Sequence, residues 1–139
     1  MTASGGTYTL LVAMPSADTL TVGALGEITF DAGWYAYTGS ALGSGGFARV
    51  RRHRELARGE RDTRHWHIDY LLGHPETRIA AVVRTGAGID RECAVGRALA
   101  AEFAPVPAFG ASDCNCDSHL VYADDGEALA AAIARAHER

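Results

Sequence analysis

The segment GTYTLLVAM, residues 6–14, constrains the fold most, because it is rich in β-forming residues and is ended by Pro15. A segment of this composition predicts a buried strand. A second strand is predicted at WYAYTG (34–39). Between the two, TLTV (19–22) and EITF (27–30) flank GALG and predict a hairpin. The chain is therefore predicted to begin with several strands.

Helices and strands are predicted to alternate further along the chain. The spacing of Phe47, Val50 and Ala57 is typical of a helix. Asp90 suits the N-cap of a later helix, and Asp124 resembles the first residue of a capping box. Helices are predicted at residues 46–58, 64–75, 90–103 and 126–139, and strands at 78–85 and 119–123. This order indicates an α+β protein with a small mixed β-sheet flanked by helices.

Length and composition indicate a single domain over residues 1–139, because the chain is 47% hydrophobic and domains commonly have about 100–150 residues. No apolar stretch approaches the roughly 18–20 residues that span a bilayer, and the N-terminus lacks the positive region of a secretory signal. We therefore expect a cytoplasmic protein with no membrane partner. Three cysteines, an odd number, argue for reduced thiols or metal ligands rather than disulfides.

Basic charge is concentrated in one window of an otherwise acidic chain. Seven of the thirteen basic residues, all of them arginine, lie between Arg49 and Arg64 beside only three acids. The window therefore carries +4 within a chain of net charge −4. Because the window falls on predicted helices, we expect a basic helical stripe.

Arg49 and His53 are four positions apart and therefore share one face of the first predicted helix. A guanidinium can donate to two phosphoryl oxygens without losing its proton, and a nearby imidazole can move a proton. The alternative is a solvated basic face without a chemical role.

Glu92 shares the apolar face of its predicted helix with Val95 and Leu99. A carboxylate on such a face needs a partner. A divalent metal ion could supply one, and so could the backbone N–H groups at the start of the helix. The sequence leaves both readings open.

Four motifs occur together in an order that resembles the GIY-YIG nuclease superfamily: GTY (6–8), YTG followed by SA (37–41), RVRRH (49–53), and a glutamate in a later helix. With HWHIDYLL and FGASDCNCDSHLVY, the chain more narrowly resembles the related DUF123 group of archaea and bacteria, found alone or fused to DNA-repair enzymes. The resemblance covers about residues 5–122.

The resemblance implies a role for each matching residue. Tyr8 and Tyr37 would lie on neighbouring strands and position or deprotonate the attacking water. Arg49 would steady the phosphate, and His53 would assist proton transfer. Glu92 would hold one Mg²⁺ or Mn²⁺ ion.

The implied activity is that of a metal-dependent endonuclease that hydrolyses phosphodiester bonds in DNA, in repair or recombination. The basic stripe would then bind the nucleic-acid backbone through Arg51, Arg52 and Arg54. The rival hypothesis is a noncatalytic nucleic-acid-binding module on the same scaffold.

The sequence departs from the superfamily pattern in three places. Each tripeptide has Thr in the middle, which changes packing rather than chemistry. The long interval from Tyr8 to Tyr37 makes the hairpin at about 15–33 an insertion. The LGSGG loop lengthens the spacing before Arg49, so a shifted register would put Arg52 in its place, although His53 favours Arg49.

Two further clusters of polar residues have open roles. His65 and Asp69 are four apart and can meet on a helix, whereas His67 points elsewhere. These three are accessory candidates for proton transfer or phosphate contact, and the alternative is the polar edge of a core helix.

A cysteine-rich segment near the C-terminal end could in principle bind zinc. Cys114, Cys116 and His119 are soft ligands, but structural zinc needs four, and this spacing is not a common zinc pattern. We therefore expect packing and local hydrogen bonding here rather than a zinc site.

Overall fold

The computed structural model describes residues 6–41, 47–61, 66–85, 91–106, 109 and 118–138. Within these ranges the protein is α+β, as the sequence predicts. The strands are β1 (Thr7–Met14), β2 (Asp18–Thr21), β3 (Glu27–Phe30), β4 (Gly33–Ser40), β5 (Arg78–Thr85), β6 (Ala104–Pro105) and β7 (Leu120–Ala123). The α-helices are α1 (Ala48–Ala57), α2 (His67–Leu72), α3 (Glu92–Ala100) and α4 (Gly126–Glu138).

Five strands form one sheet in the order β5-β1-β4-β7-β6. Every neighbouring pair in this sheet is antiparallel, whereas the sequence led us to expect a mixed sheet. The helical connection from β4 to β5 does join strands of the same direction, but β1 lies between them. Parallel strands are therefore present without being neighbours.

Helices α1 and α2 cover one face of the sheet, and α3 and α4 cover the other. One core cluster joins Tyr8 and Leu10 of β1 to Val50 of α1 and Leu71 of α2. The connections β4–β5 and β5–β6 both join strands of the same direction but cross the sheet in opposite directions. Because such crossovers are almost always right-handed, their helices belong on opposite faces. The second core cluster accordingly contains α3 and α4.

The predicted hairpin between β1 and β4 forms a separate two-stranded sheet of β2 and β3. Val22 and Phe30 attach it to the core cluster on the α1 and α2 side. Gly23 lies at its turn with φ +48° and faces the ring of Tyr70 on α2. The hairpin therefore packs against α2 and does not extend the main sheet.

Two helix caps and one short strand differ from the sequence-based expectation. The N-cap of α3 is Arg91, and the predicted cap Asp90 lies outside the described residues. At α4 the side chain of Asp125, rather than Asp124, accepts hydrogen bonds from the N–H groups of residues 127 and 128. Strand β6 was missed because two residues are too few to show a periodicity.

No helix in the described part of the chain is both long enough and apolar enough to cross a membrane.

Candidate active site

Tyr8 and Tyr37 lie on the same face of the central strand pair. Tyr8 is opposite Gly39, and Leu10 is opposite Tyr37, so the two phenols are diagonal neighbours. A methyl group built on Gly39 would lie 2.5 Å from the Tyr8 hydroxyl oxygen. The glycine of YTG is therefore required by the close approach of the Tyr8 ring.

His53 reaches both tyrosines from α1. Its Nε2 lies 2.7 Å from the Tyr8 hydroxyl, and its ring meets the Tyr37 ring edge-on at 6.1 Å between centroids. Tyr8 and His53 are each only 1% exposed. In the described part of the structure, His53 Nδ1 has no hydrogen-bond partner.

Burial keeps both members of this hydrogen bond neutral. It raises the pKa of Tyr8 far above its usual value, and nearby Tyr37 and Glu92 act in the same direction while Arg49 opposes them. Burial lowers the pKa of His53 to about 4, despite the opposing charge of Asp69. At neutral pH the site therefore contains a phenol hydrogen-bonded to an uncharged imidazole.

Arg49 lies at the same end of the sheet, where β4 ends. Its Nη1 donates to the carbonyl of Ser40 at 2.8 Å, and its guanidinium stacks on the Trp66 ring at 4.7 Å. Burial raises the pKa of Tyr8, and the positive charge of Arg49 lowers it. Arg49 is therefore close to the tyrosines.

Arg52 forms an ion pair with Asp69 of α2. Its guanidinium donates two hydrogen bonds of 2.9 Å to Asp69, whose side chain is fully buried. Asp69 also accepts from the backbone N–H of Trp66 at 3.0 Å. The pair links α1 to α2 across 17 positions of sequence, and the expectation that Arg52 contacts nucleic acid stays a prediction.

The accessory histidines are placed differently. His67 is half-buried with its ring 5.6 Å from that of Phe109, and burial lowers its pKa. His65 lies outside the described residues. A role of His67 in proton transfer or phosphate contact stays a prediction.

Glu92 reaches this end of the sheet from the opposite face. Its helix α3 packs in the core cluster of α4, away from the face that bears Tyr8. The sequence leads us to expect Tyr8, Tyr37, Arg49, His53 and Glu92 in one cleft, with Arg49 and Glu92 reaching the same face of the sheet from two helices. The shared face is wrong, because the α1 and α3 connections cross the sheet in opposite directions and α3 covers the other face. Glu92 is nevertheless close enough for its charge to raise the pKa of Tyr8.

His119 is the partner of Glu92 that the sequence analysis missed. Its Nδ1 lies 3.3 Å from Glu92 Oε2, and its side chain is buried while that of Glu92 is 22% exposed. The alternation along 119–123, with Leu120 opposite Tyr37, signals that His119 turns to the α3 face. Cys114 and Cys116, grouped with His119 in the zinc hypothesis, lie outside the described residues.

A family model matches residues 7–139 and is described as a domain of unknown function, DUF123. The chain belongs to the DUF123 family. No curated protein and no solved structure matches this DUF123 protein.

Glu92 is the residue to which the GIY-YIG resemblance assigns a metal ion. No group of three or more His, Cys, Asp or Glu side chains suited to a metal ion lies within the described ranges. Mg²⁺ is commonly bound through one or two carboxylates together with waters and substrate phosphates. A single partly exposed carboxylate, steadied by a buried imidazole, fits that kind of ion.

Proposed function

We propose that this DUF123 protein is a metal-dependent endonuclease of GIY-YIG type that hydrolyses phosphodiester bonds in DNA, in repair or recombination. The observation that supports it most is the buried hydrogen bond between Tyr8 and His53. The Tyr37 ring contacts His53, and the charges of Arg49 and Glu92 both act on the Tyr8 hydroxyl. Such a combination of a neutral proton-transfer pair, a fixed cation and a carboxylate suits phosphodiester hydrolysis.

Arg49 would hold the phosphate. Its guanidinium is oriented before substrate arrives, because the carbonyl of Ser40 and the ring of Trp66 fix it from two sides. A planar, permanently charged fork held in this way can donate to two phosphoryl oxygens as negative charge develops.

The tyrosines and His53 would position water and move its proton. Tyr37 is slightly more exposed than Tyr8, so its hydroxyl is the one better placed to orient the attacking water. As water attacks phosphorus, the bond from phosphorus to the leaving sugar oxygen would break, and the water proton would pass to the Tyr8 oxygen while the Tyr8 proton passes to His53 Nε2. The leaving sugar oxygen would take a proton from solvent. The uncharged imidazole needed for this transfer is present above pH about 4.

Glu92 would hold one Mg²⁺ or Mn²⁺ ion through its carboxylate, with His119 limiting the carboxylate's orientation. When bound, such an ion neutralises charge on the phosphate. The alternative function, a noncatalytic nucleic-acid-binding module, gives this carboxylate no task near phosphates, where its charge is repulsive.

The test compares Glu92→Gln with the native chain in single-turnover cleavage of DNA duplexes, single strands and branched substrates with Mg²⁺ and Mn²⁺. Glu102→Gln is the matched control, because Glu102 is an exposed carboxylate paired with Arg135. We expect Glu92→Gln to retain binding and lose cleavage by several orders of magnitude.

If Glu92 only complements the start of α3, its loss should cost about 0.3–1 kcal/mol of stability and leave cleavage intact. Near-native cleavage by Glu92→Gln would therefore contradict its metal-binding role. Binding without cleavage by the native chain on every substrate would support the binding module instead.

A further inference from the structure

An open groove runs between α1 and the edge strand β5, on the side of α1 away from His53. One part, of about 340 Å³, is lined by Arg54 and Arg58 of α1 and by Arg78 of β5. The adjoining part, of about 370 Å³, is lined by Arg51, Arg54, Arg58 and Arg84. We call this surface the α1–β5 groove.

The α1–β5 groove has an excess of positive charge. Its five arginines face only two acids, Glu55 and Glu60. Glu55 is already bound by Arg61 at 2.8 Å. None of the five groove arginines forms an ion pair with a carboxylate of the described residues, so their charge is not neutralised.

The groove adjoins the candidate active site at one end. Arg84 is directly opposite Tyr8 in the β1–β5 register and therefore lies on the same face of the sheet. Its guanidinium covers the Phe47 ring at 5.3 Å. Arg78, at the other end of β5, is opposite Ala13 beyond a register shift and therefore lies on the other face of the strand, at the border of the groove.

We propose that the α1–β5 groove binds the phosphate backbone of one strand of duplex DNA and leads it to the candidate active site. This inference rests on the proposed function. Arginines on both walls are suited to phosphate contacts that position the duplex without reading its sequence.

The lining favours a duplex over a single strand. Sites for single strands present aromatic rings on which unpaired bases stack. The aromatic side chain that lines the groove is Phe47, and Arg84 covers its ring. A duplex, whose bases are turned inward, needs only the cationic contacts that this groove offers.

The experiment measures binding of a fluorescently labelled duplex of about two helical turns by the full chain in EDTA, where no metal-dependent cleavage occurs, as a function of salt. Arg54→Gln, Arg58→Gln and Arg84→Gln are compared with Arg97→Gln, an exposed arginine on α3 at the opposite face. Thermal melts confirm that each variant is folded.

Each groove variant should reduce the slope of log affinity against log salt by about 0.9, whereas Arg97→Gln should leave it unchanged. Between 50 and 200 mM salt, each groove variant should lose roughly threefold less affinity than the native chain. Native slopes in all three groove variants would overturn the inference. So would competition by polyglutamate or by the matching single strand at lower concentrations than unlabelled duplex.

Cleavage, assayed separately with Mg²⁺, separates the two proposals. Altered salt slopes without any cleavage would support the groove and contradict the nuclease. Cleavage by the native chain with unaltered slopes in the variants would support the nuclease and contradict the groove. A native chain that binds no duplex overturns the groove whatever else it cleaves.

Discussion

At the scale of single residues, the site depends on one close approach. Gly39 gives the Tyr8 ring the space in which its hydroxyl meets His53. A glycine in a strand usually weakens the strand, and one of its common roles is to permit such an approach. The same tripeptide therefore carries both Tyr37 and the glycine on which the position of Tyr8 depends.

Gly39→Ala should destabilise the protein and disturb the site. The added methyl group meets the buried Tyr8 phenol at 2.5 Å, and overpacking of this kind typically costs about 1–3 kcal/mol. Gly96→Ala is the control, because its methyl group would lie 3.6 Å from His119 and alanine favours the helix. Urea denaturation should show a lower midpoint for the first variant only; equal midpoints would contradict the packing account.

At the scale of elements, α1 and α2 are joined by the pair of Arg52 and Asp69. The fully buried carboxylate receives two hydrogen bonds from Arg52 and one from the start of α2. Trp66, at that start, lies under the guanidiniums of both Arg49 and Arg52. The pair therefore holds the helix that presents Arg49 to the site.

Arg52→Ala should cost about 3–5 kcal/mol of unfolding free energy, because it leaves the Asp69 carboxylate buried without its cation. Arg61→Ala removes an ion pair that is much more exposed and should cost only about 0–1 kcal/mol. Chemical denaturation of both variants measures the difference. Similar small losses would show that Arg52 is an ordinary surface arginine.

The positions of most helices and strands could be predicted from the sequence. The face of the sheet that each helix covers could not. Residues 78–85 were predicted as a strand and form β5 with those bounds, because apolar composition and flanking turns are local signals. The periodicity of Val95 and Leu99 identifies the buried side of α3 but not the sheet face it covers. The Arg52–Asp69 pair was missed for a related reason, since its partners are 17 positions apart.

At the scale of the whole molecule, each face of the sheet buries a neutral histidine. His53 serves the α1 side, and His137 lies on the α4 side with its ring nitrogens 2.7 Å from Thr9 and Thr85. Burial lowers the pKa of each from its ordinary value of 6.5 to about 4. Protonation of either histidine therefore destabilises the folded state.

The protein should lose stability as the pH falls from about 6.5 toward 4. In this window the unfolded chain binds protons at both histidines, whereas the folded chain does not, so stability rises with pH. Thermal unfolding at a series of pH values measures the effect, and His137→Gln should flatten it. A melting temperature independent of pH between 7 and 4.5 would contradict the buried, neutral state.

The central claim is that Tyr8, Tyr37, Arg49, His53 and Glu92 form one active site. The measurement that tests it most directly is the single-turnover rate of DNA cleavage with Mg²⁺ at saturating protein, for the native chain, Arg49→Gln and Arg97→Gln. Arg97 is an exposed arginine on α3 and lies outside both the candidate active site and the α1–β5 groove. We predict cleavage by the native chain, a loss of about 10²–10³-fold in Arg49→Gln, and a native rate in Arg97→Gln. Equal rates for Arg49→Gln and the native chain, or no cleavage by the native chain on any substrate, would contradict the claim.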